Sequence, residues 1–459
     1  MTRGAVLFAL IVLGTLTAYG QQQGGNNNQG NQNGNNAGGI LIDAVGIVSP
    51  GFTADHSNRL NRKRQRLLAE QTLSTDILAS SACRKISLKS LEAVLNTELE
   101  AGRPISQEMS YLAGLNRIDF VFLDPEQQDV ILAGPAEGFA PDLSNRMRGI
   151  ESGRPPLRLD DWLVALRTIS GGREVGCSID PVPENLAALS RFVAQNSTPA
   201  TPQVIEGRFQ HMARVLGLHD IRVMGVPADT YFARVLVEAD YRMKRISIGL
   251  ENPGVKGLRS HLSMIGAGGN SIQRWWFVPL YEGLYRSEDH LAFEFAGQRL
   301  QLLSQDEVSN INGDRFAAAT TQQSTQAFAQ QFTKHFAELA EQSPVFAELQ
   351  NLTDWCLLAA LLEREQVRDR IGWQPGVLLD AQRLPVQPFP VPKQVAAQAN
   401  FRRASSGVVA GLVSGGVTIT PDSTLQTISR PADPDRRLDS HRNDNLSAPR
   451  NTNHPWWWD

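Results

Sequence analysis

Apolar residues recur along this chain at two spacings, and the changes of spacing mark the elements. Residues 40–48 are almost continuously apolar and read as a strand, and residues 59–70 follow as a basic helix. Leu88, Leu91, Leu95 and Leu99 recur at helical spacing up to Gly102, and Ser106 is placed to cap a short helix carrying Met109, Leu112 and Leu115. Residues 117–123 and 129–133 read as two strands joined by the turn residues Asp124-Pro125-Glu126. Helix and strand then alternate. Leu159, Trp162, Leu163 and Leu166 share one helical face, 174–179 reads as a strand, and 183–195 as a helix opened by Pro183 and Glu184. Next come helix 204–216, strand 221–226 and helix 230–245, with Asp229 placed to cap the last.

Between 273 and 303 three apolar runs predict an antiparallel meander, at 275–278, 291–295 and 299–303. Trp275 and Phe277 point to one side of the first run, Trp276 and Val278 to the other. One aromatic pair is expected in the core, and the other is a candidate platform for carbohydrate or peptide. Helical spacing resumes over 321–371, broken at Ser343-Pro344, and predicts a helical hairpin covering the sheet. Residues 384–392 read as a polyproline spacer, and 408–420 as a last strand pair. The predicted fold class is α+β, a mixed helix–strand body with disordered N- and C-terminal segments. Its expected divisions are an α+β subdomain over 40–200, another over 201–380 ending in the helical hairpin, a Pro-rich spacer with short strands over 381–420, and a disordered tail over 421–459.

Composition narrows this picture. With 41% hydrophobic and 20% charged residues the chain is ordinary globular material. A formal net charge of −3 gives no electrostatic case for nucleic acid. Three cysteines allow at most one internal disulfide: Cys356 sits in an apolar run and is expected buried and free, leaving Cys83 with Cys177 as the pair to test.

The N-terminus reads as a signal peptide over 1–20, with Arg3, an apolar core over 5–16, and Ala18-Tyr19-Gly20 before a cleavage point. That core spans only about 18 Å as a helix, against about 30 Å of bilayer hydrocarbon, so cleavage is favoured over anchoring. No transmembrane anchor is expected after cleavage. Residues 21–39 contain only Gln, Gly, Asn and one Ala, a low-complexity disordered tether. The destination read from this is periplasmic or extracellular.

Five blocks carry a resemblance. They are Gly134-Pro135-Ala136-Glu137-Gly138, Val175-Gly176-Cys177-Ser178-Ile179-Asp180-Pro181, Val237-Glu238-Ala239-Asp240-Tyr241-Arg242-Met243-Lys244, Trp275-Trp276-Phe277-Val278-Pro279, and Phe332-Thr333-Lys334-His335-Phe336. Over 40–380 the chain resembles a family of exported planctomycete proteins known only as a domain of unknown function. The resemblance implies a bacterial envelope or extracellular setting, and brings no activity, cofactor or catalytic residue.

The sequence holds no P-loop, no His-Glu-x-x-His, no Cys-x-x-Cys and no Gly-x-Ser-x-Gly. Its eight histidines show no metal-ligand spacing, and neither metal nor cofactor is expected. Gly266-Ala267-Gly268-Gly269-Asn270 precedes a strand and reads as a loop rather than a phosphate cradle. The candidate catalytic residues are Glu238, Asp240 and Arg242. Glu238 and Arg242 stand at i and i+4 and are expected to pair, while Asp240 is a candidate acid or base and Arg242 or Lys244 a candidate anion holder. Asp289 is a further candidate carboxylate. Arg59, Arg62, Lys63, Arg64 and Arg66 read as a solvated helix face. Asp160 and Asp161 read as partners of a helix N-terminus, and His211 and His219 as lone surface or cap residues. The candidate binding residues are Trp275, Trp276 and the run Trp456-Trp457-Trp458, whose three indoles on a tail read as exposed apolar area. Together these features point to a non-enzymatic, envelope-associated binding or structural module, with an envelope protein or polysaccharide as partner. The alternative is a metal-independent hydrolase or transferase using carboxylates in a cleft.

Overall fold

The computed structural model describes residues 36–42, 48–54, 59–169, 173–196, 200–265, 272–309, 314–397, 399–404, 407–429, 437–447 and 454–459, with a few isolated positions between them. The fold is α+β, as the alternating patterns predict. The signal segment, most of the tether and the Gly266–Asn270 loop lie outside the described residues. The 40–48 strand is instead a hairpin of Asn36–Ile42 with Val48–Ala54.

Two larger sheets organise the body. One runs in the order Arg315–Ala317, Arg299–Ser309, Ile272–Leu280, Gly407–Ile419, Val175–Pro181, Leu218–Met224 and Gln394–Ala396, with Ala399–Ala404 also paired to Gly407–Ile419. The second runs Gly283–Arg286, Ala292–Ala296, Phe120–Asp124, Asp129–Ala136, Ser81–Ser87 and Trp457–Trp458. The strands expected over 273–303 form, and they divide between the sheets: Ile272–Leu280 pairs with Arg299–Ser309 in the first, whereas Ala292–Ala296 pairs with Phe120–Asp124 in the second. Val175–Pro181 pairs directly with Leu218–Met224, so the first sheet runs across the subdomain division expected near residue 200.

The helix Pro344–Arg364 is the central post. Residues 345–362 are all buried. Its length and hydropathy would suit a bilayer span, but the whole apolar window lies inside the protein. Such an all-round apolar helix is what a core position requires. Trp355 packs on Trp162 at 5.1 Å, tying the post to the helix Leu159–Thr168. The helix Gln323–Lys334 covers the Arg299–Ser309 strand and, with Phe336–Gln342, brings Phe332 and Phe336 onto Phe277 and Phe346, with Phe328 packed on Phe332 and Trp275. Several polar residues of the post are firmly held. Gln350 accepts from Arg154 at 2.7 Å, Thr353 donates to the Leu349 carbonyl at 2.8 Å, and Asp354 accepts from Tyr281 at 2.7 Å and Arg299 at 3.0 Å. A buried polar group without such partners would cost about 1–3 kcal/mol.

Three expectations change. The 421–459 tail is structured where it is described: Pro421–Thr427 and Arg437–Ser447 are helices, and Trp457–Trp458 pairs with Ser81–Ser87. Trp456, Trp457 and Trp458 are at most 4% exposed, because the sheet edge and Arg84 offer the indoles a buried seat. The polyproline stretch is docked rather than spacing. The Phe389 amide donates to the Asp229 carbonyl at 2.6 Å, and the Phe389 ring meets Tyr231 edge-on at 5.3 Å. Cys83 and Cys177 lie in different sheets and both are free, as is the buried Cys356.

Candidate functional site

The helix Tyr231–Ser247 carries all three candidate catalytic residues, and its geometry separates them. Its cap is Thr230, whose hydroxyl accepts from the Ala233 amide at 3.2 Å, rather than Asp229. Glu238 and Arg242 do not pair. Glu238 takes Arg146 at 2.7 Å, and Arg242 takes Glu251 at 2.7 Å, because both partners come from neighbouring loops at better range. Asp240 points the other way, into the core. It is fully buried against Lys244 at 2.8 Å, and burial pushes its carboxyl up to about 6 despite that ammonium. Lys244 also donates to the Ile179 carbonyl at 2.9 Å. Lys244 therefore fastens this helix to the first sheet, with Asp240 as its buried counter-charge.

The other candidates are likewise accounted for. Trp275 and Phe277 are wholly buried, and the Trp275 indole donates to the Thr325 carbonyl at 3.1 Å. Trp276, on the opposite side, is half-buried with Arg274 lying 5.1 Å from its ring centre. Asp289 sits at the surface, paired with Arg442 at 2.6 Å. The Trp456–Trp458 run is interior, with Arg84 stacked 4.4 Å from the Trp457 ring. Arg59, Arg62, Lys63, Arg64 and Arg66 are exposed. His219 is buried, not a surface residue, and burial lowers its imidazole to about 4. No group of three or more His, Cys, Asp or Glu poised for a metal ion occurs among the described residues.

A recess of about 170 Å³ lies elsewhere. Five segments far apart in sequence build it. Tyr111, Met147, Pro155, Pro156 and the docked Phe389 line it. Tyr231 enters from the first turn of its helix, and Glu348 from the central post. Arg146 and Arg158 bring the cations. The loop that carries the prolines is pinned by Glu137. Its carboxylate accepts from Asn116 at 3.0 Å, from the Glu151 amide at 2.7 Å and from the Ser152 amide at 3.0 Å, with the Ser152 hydroxyl as a further donor.

Charges in the recess are unevenly matched. The Tyr231 hydroxyl donates to Glu348 at 2.8 Å, and Arg146 lies 3.1 Å from the other Glu348 oxygen. Burial raises the Glu348 carboxyl, with Arg146 and Tyr231 opposing. Arg158 lies 4.0 Å from the Tyr231 ring centre and 5.7 Å from that of Tyr111. Asp160 and Asp161 approach its side chain only at 3.7 and 3.6 Å, and that side chain makes no hydrogen bond among the described residues. Asp161 is buried behind it, and burial pushes that carboxyl up to about 7 against the pull of Arg158. Asp160 and Asp161 stand at a helix N-terminus, as expected, but the recess they flank is not legible in the sequence, where the Arg158-Leu159-Asp160-Asp161 charge run is its one local sign.

Residues 177–261 match the model of a family described as a protein of unknown function, DUF1598. This span runs from the strand Val175–Pro181 through the helix Tyr231–Ser247, and contains Tyr231 and Glu238 but neither arginine of the recess. It lies within the 40–380 stretch that carried the resemblance. No curated protein matches the chain. No solved structure matches it either.

Proposed function

We propose that this chain is an exported binding module of the bacterial cell envelope, of the planctomycete kind that the resemblance implies, and that the Arg158 recess is its ligand site. The observation that carries this reading is the wall chemistry. Aromatic rings, two prolines and two guanidinium groups surround a small concave space, the composition expected of a small-molecule site. The single carboxylate among the lining residues, Glu348, is engaged by Tyr231 and Arg146. The signal-peptide pattern over residues 1–20 supports export.

The rival hydrolase or transferase reading draws on Asp161, whose carboxyl stands at about 7 and so suits proton transfer near neutrality. Asp161 lies behind Arg158 and is not among the residues that line the recess, which favours binding. The test is to incubate the purified chain with an extract of its own cell envelope and follow the low-molecular-weight fraction by NMR and mass spectrometry. Retention of a compound in unchanged form supports the binding module. Conversion of any compound at many turnovers per protein overturns it. Locating the processed chain in the cytoplasm would overturn the export component.

A further inference from the structure

We infer that the recess recognises one compact, singly charged organic carboxylate, held by the Arg158 guanidinium with its body between Tyr111, Phe389 and Pro155. This rests on the reading of the recess as a ligand site. Arg158 is the reason. Its side chain is only 15% exposed and lies over Tyr231, yet it makes no hydrogen bond among the described residues, and its Nε is a buried donor without a partner. A guanidinium carries five donors in a planar fork that fits a carboxylate two-to-two. Buried donors are as a rule satisfied, so a cation held ready but unbonded marks the place of a missing acceptor. Asp160 and Asp161, at 3.7 and 3.6 Å, balance its charge without satisfying its donors. Arg146, by contrast, is taken up by Glu238 and Glu348.

Size and charge narrow the class. A volume of about 170 Å³ is close to the ~150 Å³ of a cavity that takes benzene, so the body is limited to roughly one six-membered ring. Two guanidinium groups stand among four carboxylates, those of Asp160, Asp161, Glu238 and Glu348. Burial shifts the Asp161 and Glu348 carboxyls toward their neutral forms, which leaves the two guanidinium groups room for one monoanion but not for a phosphate dianion.

Benzoate is the probe. Calorimetric titration of the full chain is expected to show one site, with benzamide, the uncharged analogue of the same shape, binding at least tenfold more weakly. Arg158→Gln is expected to erase that discrimination. Asp160→Asn, a same-sized change that removes one competing charge and keeps Arg158, is expected to tighten benzoate several-fold. Equal binding of benzamide and benzoate overturns the inference, as does stronger binding of phenyl phosphate. If Arg158→Gln does not fold, the Asp160→Asn result decides: unchanged or absent benzoate binding in that variant also defeats the proposal. A compound retained unchanged from the envelope extract, with no response to benzoate, would remove the ligand class alone. Turnover of the extract would remove the binding-module reading and leave a benzoate response standing.

Discussion

Asp161 shows how one buried side chain can set a pH dependence. Its carboxyl stands at about 7 in the fold against an ordinary value of 3.8, so between these values the folded state binds more protons than the unfolded chain. Stability contributed by Asp161 is therefore fully present below about pH 4 and is lost as pH rises through about 7. Asp161→Asn removes this slope. Urea unfolding should show the variant gaining on the wild type as pH rises from 5 to 8, by on the order of 3 kcal/mol at about 1.4 kcal/mol per pKa unit. A difference that stays flat with pH would refute the assignment. His261 acts in the opposite sense: burial lowers its imidazole to about 4, so its contribution is lost as pH falls from about 6.5 to 4. Arg84 is a second decisive residue. It is fully buried, takes both Asp459 oxygens at 2.8 Å, and donates to the Ala113 carbonyl at 2.7 Å. Arg84→Met is expected to cost about 3–5 kcal/mol in chemical denaturation, because several oxygens then lose a common donor.

Among the elements, the strand Gly407–Ile419 depends on two adjacent glycines. A Cβ at Gly415 would stand 2.0 Å from the Trp275 carbonyl oxygen, and one at Gly416 2.2 Å from that of Cys177. Neither distance can be relieved by a side chain, since both obstacles are backbone. Gly415→Ala should therefore prise Ile272–Leu280 from its parallel partner, seen as a loss of cooperative thermal unfolding; a melting curve within a few degrees of wild type would contradict this. The sequence made some elements legible and not others. Strand alternation put Trp275 and Phe277 on one side and Trp276 on the other, though which side is core was settled only by the packing, and the Leu88-Leu91-Leu95 helix follows from its spacing. The seat of Trp456–Trp458 does not, because no local pattern distinguishes an exposed indole from one whose partner strand lies some 370 residues away. The recess was hidden for the same reason: its five segments meet only through tertiary packing. Glu238 was singled out for a local charge pattern, and its true partner, Arg146, is 92 positions distant.

Across the whole molecule, the two sheets share one central post and one continuous core. That core reaches from Ala69 to Trp457. The two sheets are therefore expected to melt together, in a single calorimetric transition whose van't Hoff and calorimetric enthalpies agree; two resolved transitions would show the sheets to be independent units. Removing residues 454–459 strips three buried indoles from the second sheet. Each buries about 150–250 Å², worth roughly 4–6 kcal/mol at about 25 cal/mol per Å². That sum approaches or exceeds the roughly 5–15 kcal/mol by which proteins are stable. The truncated chain is expected to be unfolded or aggregated, read by circular dichroism and size exclusion.

The strand Ser81–Ser87 is made early by the ribosome, and the segment that closes its open side is made only after residue 453. At about 5–20 residues per second the delay is tens of seconds. Through that interval the nascent chain presents an unsatisfied backbone edge beside the buried charge of Arg84. A message cut short, or a product clipped before Trp456, carries the same open edge permanently. With Trp457 and Trp458 in place, that edge is paired and is no longer a template for another strand.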